Sequence, residues 1–296
     1  KCKDRFGVAF EGKMIIEFKY LKKRSWVRAE RYKRFTLLGQ SVGSMVLGWE
    51  ALCSALPDVF IDSTGYAFTM PLARFFGGCK VVAYTHYPTI STDMLSMVFS
   101  RRPSYNNDVV VSNSWLKSAV KYVYYWMYAL MYRFVGQFAH LVMVNSSWTY
   151  GHISGLWGTR NTFIVYPPCD VERMAGFPFN DRERNECKLF VSIGQFRPEK
   201  DHGLQLRSIK FLLDKYQYKS MNKNNSIILS KMKLYLIGSC RDEGDRERVK
   251  KLKELAKELG VEKYVTFKLN APFSDLCKWL GQATAGLHTM WNEHFG

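Results

Sequence analysis

The chain has 296 residues, of which 47% are hydrophobic and 23% are charged. This length suits about two globular domains, and the composition excludes a chain that is disordered throughout. The 43 Lys and Arg residues outnumber the 26 Asp and Glu residues, which gives a net charge of +17. Both halves of the chain are basic, so the charge favours anionic partners such as nucleic acid, acidic lipid or a phosphorylated substrate.

The first half of the chain alternates predicted helices with short apolar runs. These runs are rich in β-branched residues and do not alternate with polar ones, which is typical of parallel strands buried on both faces. The pattern predicts strands at 58–62, 80–84 and 140–146, and helices at 38–55 and 67–76.

Residues 115–138 form one long predicted helix with an aromatic and mostly apolar composition. Its charged residues are Lys117, Lys121 and Arg133, and six of the residues from Tyr122 to Tyr132 are Tyr or Trp. One interpretation is a helix buried in the core. The other is a helix at a membrane surface, with its rings at headgroup depth and its lysines on acidic lipid, and the two are compatible. No apolar run of 18 uncharged residues occurs, so no membrane-spanning helix is predicted.

A segment with three prolines and dense charge, residues 167–187, is predicted to be a linker. It separates an N-terminal domain, residues 1–166, from a C-terminal domain, residues 188–296. In the second domain, strands are predicted at 188–194, 233–239, 264–268 and 285–290, and helices at 201–216, 245–259 and 273–282. The alternation predicts an α/β fold with two Rossmann-like, doubly wound parallel sheets, and ligands in a cleft at the carboxyl ends of the strands.

The loop after the strand at 188–194 carries the charges best suited to a ligand. It reads SIGQFRPEKDHGLQ, and it places Arg197 and Lys200 just before a helix that begins near Asp201 and His202. Two cations beside the free backbone N–H groups of a helix N-terminus suit a diphosphate. The alternative is a surface turn with ordinary charges.

Other polar residues also follow predicted strands. His86 comes just after the strand at 80–84, where it would face the cleft; the alternative is a structural histidine. Asn145, Ser146 and Ser147 lie between a strand and a helix, where they are expected to cap the helix.

The chain ends in LHTMWNEHFG, in which Glu293 and His294 follow a predicted strand. A carboxylate and backbone amides at this point suit a ligand in the cleft; the alternative is a loop without such a role. The sequence has no G-x-G-x-x-G, no P-loop and no D-x-D motif, and no two cysteines in a C-x-x-C spacing. A nicotinamide dinucleotide site, a P-loop nucleotidase and a metal site are therefore not predicted.

Several strings in the sequence resemble the eukaryotic α-1,2-mannosyltransferases of the dolichol pathway, from about residue 20 to the last residue. These strings are DVFIDSTGYAFT, HYPTISTDMLS, VNSSWT, YPPCDV, GQFRPEKDH and LHTMWNEHFG. The resemblance implies a retaining glycosyltransferase of the GT-B type, with two Rossmann-like domains facing a cleft. It also implies that the enzyme needs no metal or other cofactor.

The family's reaction gives the expected substrates and location. The resemblance implies transfer of mannose from GDP-mannose, in α-1,2 linkage, to Man3GlcNAc2 diphosphate dolichol, adding the fourth and fifth mannoses. The expected location is the cytoplasmic face of the endoplasmic reticulum membrane, where the membrane surface and other mannosyltransferases are the expected partners. One alternative is another GT-B enzyme with a different nucleotide sugar or lipid acceptor. A basic binding module is the non-enzymatic alternative; nucleic acid is disfavoured because the aromatic residues do not interleave with Lys and Arg.

The resemblance also implies roles for individual residues. Lys200 and a basic partner would hold the donor diphosphate beside Gly194, so that cations and amides replace a metal as charge grows on the leaving group. Many relatives have arginine where this chain has Gln195, and Arg197 is a candidate to supply that charge. His86 would approach the transferred sugar.

The last four residues named by the resemblance lie at the end of the chain. Glu293 matches the first glutamate of the family's E-x7-E motif, which contacts the transferred mannose, and the backbone of His294, Phe295 and Gly296 would approach the phosphates and the sugar. The second glutamate of the motif would fall beyond Gly296, and the family's glycine-rich loop and membrane anchor would precede Lys1. The resemblance therefore predicts a fragment truncated at both ends.

Overall fold

A computed structural model describes residues 16–91, 93–94, 115–168, 175, 188–218 and 231–290. The chain divides into two compact units near residue 169, and each unit contains a four-stranded parallel sheet. The predicted α/β class with two parallel-sheet domains is confirmed. The boundaries of the linker at 167–187 stay a prediction, because nearly all of that segment lies outside the described residues.

The N-terminal unit has its strands in chain order, β1-β2-β3-β4, with every pair parallel. The strands are β1 (Val59–Asp62), β2 (Lys80–Thr85), β3 (Leu141–Val144) and β4 (Thr162–Ile164), and the helices are α1 (Thr36–Ser54), α2 (Met70–Phe75), α3 (Trp115–Gly136) and α4 (Ser147–Trp157). Short 3-10 helices span Lys22–Val27, Ala29–Arg31 and Ala67–Thr69. The three predicted strands are confirmed, and β4 is an additional strand of three residues that the sequence pattern did not indicate.

Helix α3 supplies aromatic side chains to the core of the N-terminal unit. Tyr128 and Tyr132 are each only 1% exposed, and the ring of Tyr132 lies 5.3 Å from that of Trp157 in α4. The hydroxyl of Tyr128 is 2.9 Å from the hydroxyl of Ser41 in α1, so the buried polar groups are paired. The core interpretation of this helix is therefore confirmed for one of its faces.

The opposite face of α3 is also apolar, but it is exposed. Each of its large side chains has about half or more of its surface accessible: Val120, Val123, Trp126, Met127, Leu130 and Phe134. Among the described residues, no helix combines the length and the hydropathy that crossing a bilayer requires.

The C-terminal unit has the strand order β7-β6-β5-β8, again with every pair parallel. Its strands are β5 (Lys188–Ile193), β6 (Met232–Gly238), β7 (Val265–Leu269) and β8 (Ala285–Gly286), and its helices are α5 (His202–Tyr218), α6 (Glu243–Glu258) and α7 (Phe273–Gln282). Two 3-10 helices span Pro198–Lys200 and Glu262–Tyr264.

The strand predicted at 285–290 is wrong beyond Gly286. Strand β8 pairs with β5 through two residues only, and Leu287 adds one backbone hydrogen bond to Val191. Beyond this bond the chain no longer pairs with β5, and the hydroxyl of Thr289 donates a hydrogen bond to the carbonyl of Lys200.

Helix α6 is amphipathic, with one apolar side in the core and one charged side in contact with solvent. Its N-cap is Asp242, whose carboxylate accepts a hydrogen bond from the backbone N–H of Asp245 at 2.9 Å. Its buried side is formed by Val249, Leu252 and Ala256, and its outer side carries Lys, Arg and Glu.

Candidate functional site

The loops after β5 and β6 meet at two glycines. The backbone N–H of Gly194 donates to the carbonyl of Ile237 at 2.9 Å, one residue before Gly238. A Cβ atom built on Gly238 would lie 1.9 Å from the carbonyl oxygen of Gly194, so only glycine fits at position 238 without moving the neighbouring loop. This close approach brings the two loops together at the carboxyl edge of the sheet.

Lys200 packs directly on the first of these glycines. It ends the 3-10 helix Pro198–Lys200, and its Cγ and Cδ atoms lie 3.6 Å from the Cβ position of Gly194. The apolar stem of the lysine thus covers the turn after β5.

Asp201 turns the chain from Lys200 into α5. Its φ of +42° is in the left-handed region, which Asp tolerates better than most residues. Its carboxylate accepts a hydrogen bond from the backbone N–H of Leu204 at 3.1 Å. One of the amides that the sequence left free for a ligand is therefore bonded to Asp201.

Gln195 and Arg197 have different partners. The side-chain oxygen of Gln195 accepts a hydrogen bond of 2.7 Å from the guanidinium of Arg241, a residue in the loop after β6. Arg197 is exposed, and its guanidinium lies 3.9 Å from the carboxylate of Glu199. The loops after β5 and β6 together carry three cationic side chains, an arrangement suited to phosphate oxygens.

His202 lies beneath this loop in the core. It is 3% exposed, and its ring stacks on Phe196 with 5.0 Å between the ring centroids. Burial lowers the pKa of His202 to about 4, and the charges of Lys200 and Arg248 act in the same direction. The imidazole is therefore neutral at physiological pH and has a structural role at the start of α5.

Thr289 joins the segment after β8 to the loop after β5. Its hydroxyl is 2.8 Å from the carbonyl oxygen of Lys200 and 3.1 Å from that of Asp201. The same hydroxyl accepts a hydrogen bond from the buried amide of Gln205 at 2.9 Å. The string LHTM thus lies against the loop that carries Lys200.

In the N-terminal unit, His86 follows β2, as predicted. Its side chain is exposed, with its ring 4.6 Å from that of Tyr84, and its carbonyl accepts a hydrogen bond from Thr149 at 3.3 Å. Ser146 caps α4 by accepting a hydrogen bond from the backbone N–H of Thr149, which confirms the capping interpretation. Asn145 is buried and accepts a hydrogen bond from the Thr149 hydroxyl at 2.8 Å.

The structure thus brings Gly194, Gln195 and Lys200 together at the loop after β5. Arg197 lies on the exposed side of the same loop, and His86 belongs to the other unit. Four predicted site residues lie outside the described residues: Glu293, His294, Phe295 and Gly296. Within the described part of the chain, no group of three or more His, Cys, Asp or Glu residues is arranged to hold a metal ion.

Sequence reasoning missed Arg241 and Asn270. The side chain of Asn270, at φ +52° after β7, donates to the carbonyl of Cys240 and accepts from its N–H, and so holds the loop that carries Arg241. The sequence did contain a signal for Arg241, since it follows a buried strand just as Lys200 does.

Two parallel α/β units of this kind, together with the comparisons that follow, place the fold in the GT-B class of glycosyltransferases. The fold is similar to that of the Anabaena protein HepE in complex with UDP and glucose, with a TM-score of 0.53 and 15% identity over 85% of this chain and 58% of that one. It is also similar to a UDP-forming α,α-trehalose-phosphate synthase from Burkholderia xenovorans, with a TM-score of 0.59 and 10% identity over 90% of this chain and 60% of that one. At these identities the likeness shows the fold alone.

Two family models match the sequence: ALG11 mannosyltransferase N-terminus over residues 1–157, and glycosyl transferases group 1 over residues 177–296. The chain therefore belongs to the ALG11 mannosyltransferase family. It is 52% identical to a Xenopus laevis protein and 50% identical to a human one, in each case over 95% of this chain and 56% of the relative. Both relatives carry the name GDP-Man:Man(3)GlcNAc(2)-PP-Dol alpha-1,2-mannosyltransferase. The chain spans just over half the length of these relatives.

Proposed function

We propose that the full-length protein transfers mannose from GDP-mannose, in α-1,2 linkage, to Man3GlcNAc2 diphosphate dolichol. The observation that carries this proposal is the identity of 50–52% over 95% of the chain to relatives named for that reaction. The class is a retaining, metal-independent hexosyltransferase that adds the fourth and fifth mannoses of the lipid-linked glycan.

The loop after β5 has the groups that this reaction needs on its donor side. Lys200 would bind the diphosphate of GDP-mannose, with its stem fixed on Gly194 and its carbonyl fixed by Thr289. Negative charge grows on that diphosphate as the sugar–phosphate bond breaks, and a preorganised cation stabilises the transition state without a metal. His86 and Glu293, with the backbone of 294–296, would act at the transferred sugar.

The transfer assay uses full-length protein, a Man3GlcNAc2 lipid acceptor and EDTA. We expect mannose transfer from GDP-mannose and a product with one and then two added mannoses. Transfer that occurs only from UDP-sugars would contradict the proposal and favour the alternative, a GT-B enzyme with another nucleotide sugar. A strict requirement for a divalent metal would contradict the metal-independent part.

Lys200→Ala tests the donor side of this site. We expect at least about tenfold weaker binding of GDP, because the diphosphate loses a hydrogen-bonded counter-charge. Lys210→Ala is the matched control, since Lys210 forms an exposed pair with Asp214 on the surface of α5. Unchanged GDP affinity in Lys200→Ala would remove this residue from the site.

We also propose that the N-terminal unit contacts an acidic membrane surface, on the cytoplasmic face of the endoplasmic reticulum. Two features support this: the exposed apolar face of α3, and the basic segment 19–34. The segment is fixed to α1 because the backbone N–H groups of Lys22 and Lys23 each donate to a carboxylate oxygen of Glu50 at 2.9 Å. An exposed apolar helix face and a cationic segment within one unit are typical of interfacial binding.

Flotation with acidic liposomes tests this contact. We expect the double variant Lys117→Glu/Lys121→Glu on α3 to float less than the wild type. The control is Lys250→Glu/Lys251→Glu on α6, which changes the net charge by the same amount in the other unit. Equal flotation of the two variants would contradict the assignment of the membrane contact to α3.

A further inference from the structure

Arg241 stands out among the side chains that the proposed mechanism does not use. Its loop is held at both ends: Asn270 binds Cys240, and the carboxylate of Asp245 accepts the backbone N–H of Arg241 at 3.1 Å. The guanidinium reaches across to the loop after β5 and donates to the side-chain oxygen of Gln195 at 2.7 Å. An exposed arginine is rarely fixed in this way without a reason, because ordering its side chain costs conformational entropy.

The guanidinium of Arg241 is bonded to a neutral side chain, that of Gln195, and not to a carboxylate. The other arginines described in this unit have carboxylates within ion-pair distance: Arg197, Arg207, Arg246 and Arg248. Among the described residues, no carboxylate lies within ion-pair distance of the Arg241 guanidinium. Gln195 is neutral, so it orients the guanidinium without neutralising it, and the remaining N–H donors of the fork keep their full charge for a ligand.

The position of Arg241 matches that of Lys200. The two side chains come from the loops after adjacent strands, and they contact neighbouring residues of the same turn, Lys200 at Gly194 and Arg241 at Gln195. Arg197, by contrast, lies at the rim and faces Glu199. Two cations that contact neighbouring residues of one turn suit the two phosphates of a nucleoside diphosphate.

We infer that Arg241 is a second cation of the donor-diphosphate site and that Gln195 is the positioning residue that aims it. This inference rests on the proposed function, since it assumes that a nucleoside diphosphate occupies the loop after β5. It places the second cation in the loop after β6, with the side chain of Gln195 joining that loop to the loop after β5.

Isothermal titration of the full-length protein with GDP, and separately with guanosine, tests the inference. We expect Arg241→Ala to weaken GDP binding by about tenfold or more and to leave guanosine binding unchanged, because only the phosphate contacts are lost. Arg246→Ala is the matched control: it removes the same charge five residues further on, from a side chain paired with Glu243. We expect that control to change GDP affinity less than about twofold.

The positioning role of Gln195 needs its own variants. We expect Gln195→Ala to weaken GDP binding by a smaller factor than Arg241→Ala, and to have little further effect when the two changes are combined. In the double variant Gln195→Arg/Arg241→Gln, the guanidinium moves to the other side of the same contact. We expect it to bind GDP more tightly than Arg241→Gln alone.

The binding results distinguish a failure of the Arg241 inference from a failure of the proposed function. A wild-type protein that binds GDP, with Arg241→Ala and Arg241→Gln binding it equally well, overturns the inference and leaves the proposed function standing. Equal losses of GDP and guanosine affinity would mean a purely structural role, which also overturns the inference. A wild-type protein that binds no guanine nucleotide overturns the proposed function and the inference together.

Discussion

The two units contain sheets of the same size and strand direction, but the helices that cover those sheets differ. Helix α6 in the C-terminal unit buries one apolar stripe and presents charged side chains on its outer face. Helix α3 in the N-terminal unit buries Tyr128 and Tyr132 yet exposes a second apolar face. Packing against the rest of the unit accounts for one apolar face, and the second, exposed face is the one on which the proposed membrane contact rests.

The residues that follow the strands also differ between the two units. The carboxyl ends of β5 and β6 carry Lys200 and Arg241, both fixed by neighbouring loops. After β2, by contrast, His86 is exposed and beside an aromatic ring. Among these strand ends, fixed cationic side chains are therefore a feature of the C-terminal unit, which is the unit that carries the proposed diphosphate site.

The largest effect on stability is expected in the buried face of α3. Tyr132→Ala should lower the free energy of unfolding by about 3–5 kcal/mol, because it leaves a cavity beside Trp157. Tyr132→Phe is the control, and it should cost about 1 kcal/mol through the lost hydroxyl contact with Thr89. Denaturant unfolding followed by tryptophan fluorescence measures both. A small loss in Tyr132→Ala would mean that α3 is not a core helix.

The next effect concerns the C-terminal unit and pH. The pKa of His202 is lowered to about 4 in the folded chain, so the unfolded chain binds the proton first as the pH falls below about 6.5. Stability should therefore fall between pH 6.5 and pH 4, by roughly 3 kcal/mol more in the wild type than in His202→Gln. Unfolding curves across this range measure the difference. In the N-terminal unit, His140→Gln should change the pH dependence of stability less than His202→Gln does, because His140 is exposed. Parallel stability profiles for the wild type and His202→Gln would contradict the prediction.

Loss of the cap of α6 should have a smaller effect. Asp242→Ala should destabilise the C-terminal unit by about 1 kcal/mol, because the N–H of Asp245 loses its acceptor. Glu247→Ala, on the exposed face of the same helix, should change stability by less than about 0.5 kcal/mol. Thermal unfolding followed by circular dichroism distinguishes the two. Equal effects would mean that the cap does not stabilise the helix.

The smallest effect on stability is expected on the exposed face of α3, and it tests most directly how α3 differs from α6. Val123→Gln on the outer face of α3 should change the free energy of unfolding by less than about 0.5 kcal/mol, as expected for an exposed position. It should nevertheless reduce liposome flotation, whereas Lys251→Gln on α6 should reduce it less. If Val123→Gln strongly destabilises the protein, the outer face of α3 is covered within the folded chain.

The sequence predicted most of the fold because buried parallel strands and amphipathic helices have strong local patterns. It missed β4, a strand of three residues too short to show a pattern, and it extended β8 to Met290. Periodicity reports burial, but the end of β8 depends on the tertiary contact between Thr289 and Lys200.

For the candidate site, the sequence located the loop with Lys200 but not the residues that orient it. Charge beside a strand end is visible in one dimension, whereas the bond between Gln195 and Arg241 joins residues 46 positions apart. The burial that makes His202 neutral is likewise a property of the folded core. Roles at Glu293 and the three residues after it stay predictions.

Thr289 has a consequence for motion within the C-terminal unit. The hydroxyl of Thr289 lies within hydrogen-bond distance of the carbonyl oxygens of Lys200 and Asp201, and it accepts a hydrogen bond from the amide of Gln205. A shift of the segment after β8 would therefore break these bonds or move the turn into α5 with it. If Lys200 binds the donor diphosphate as proposed, the same hydrogen bonds would couple the position of the diphosphate to that of residues 287–290.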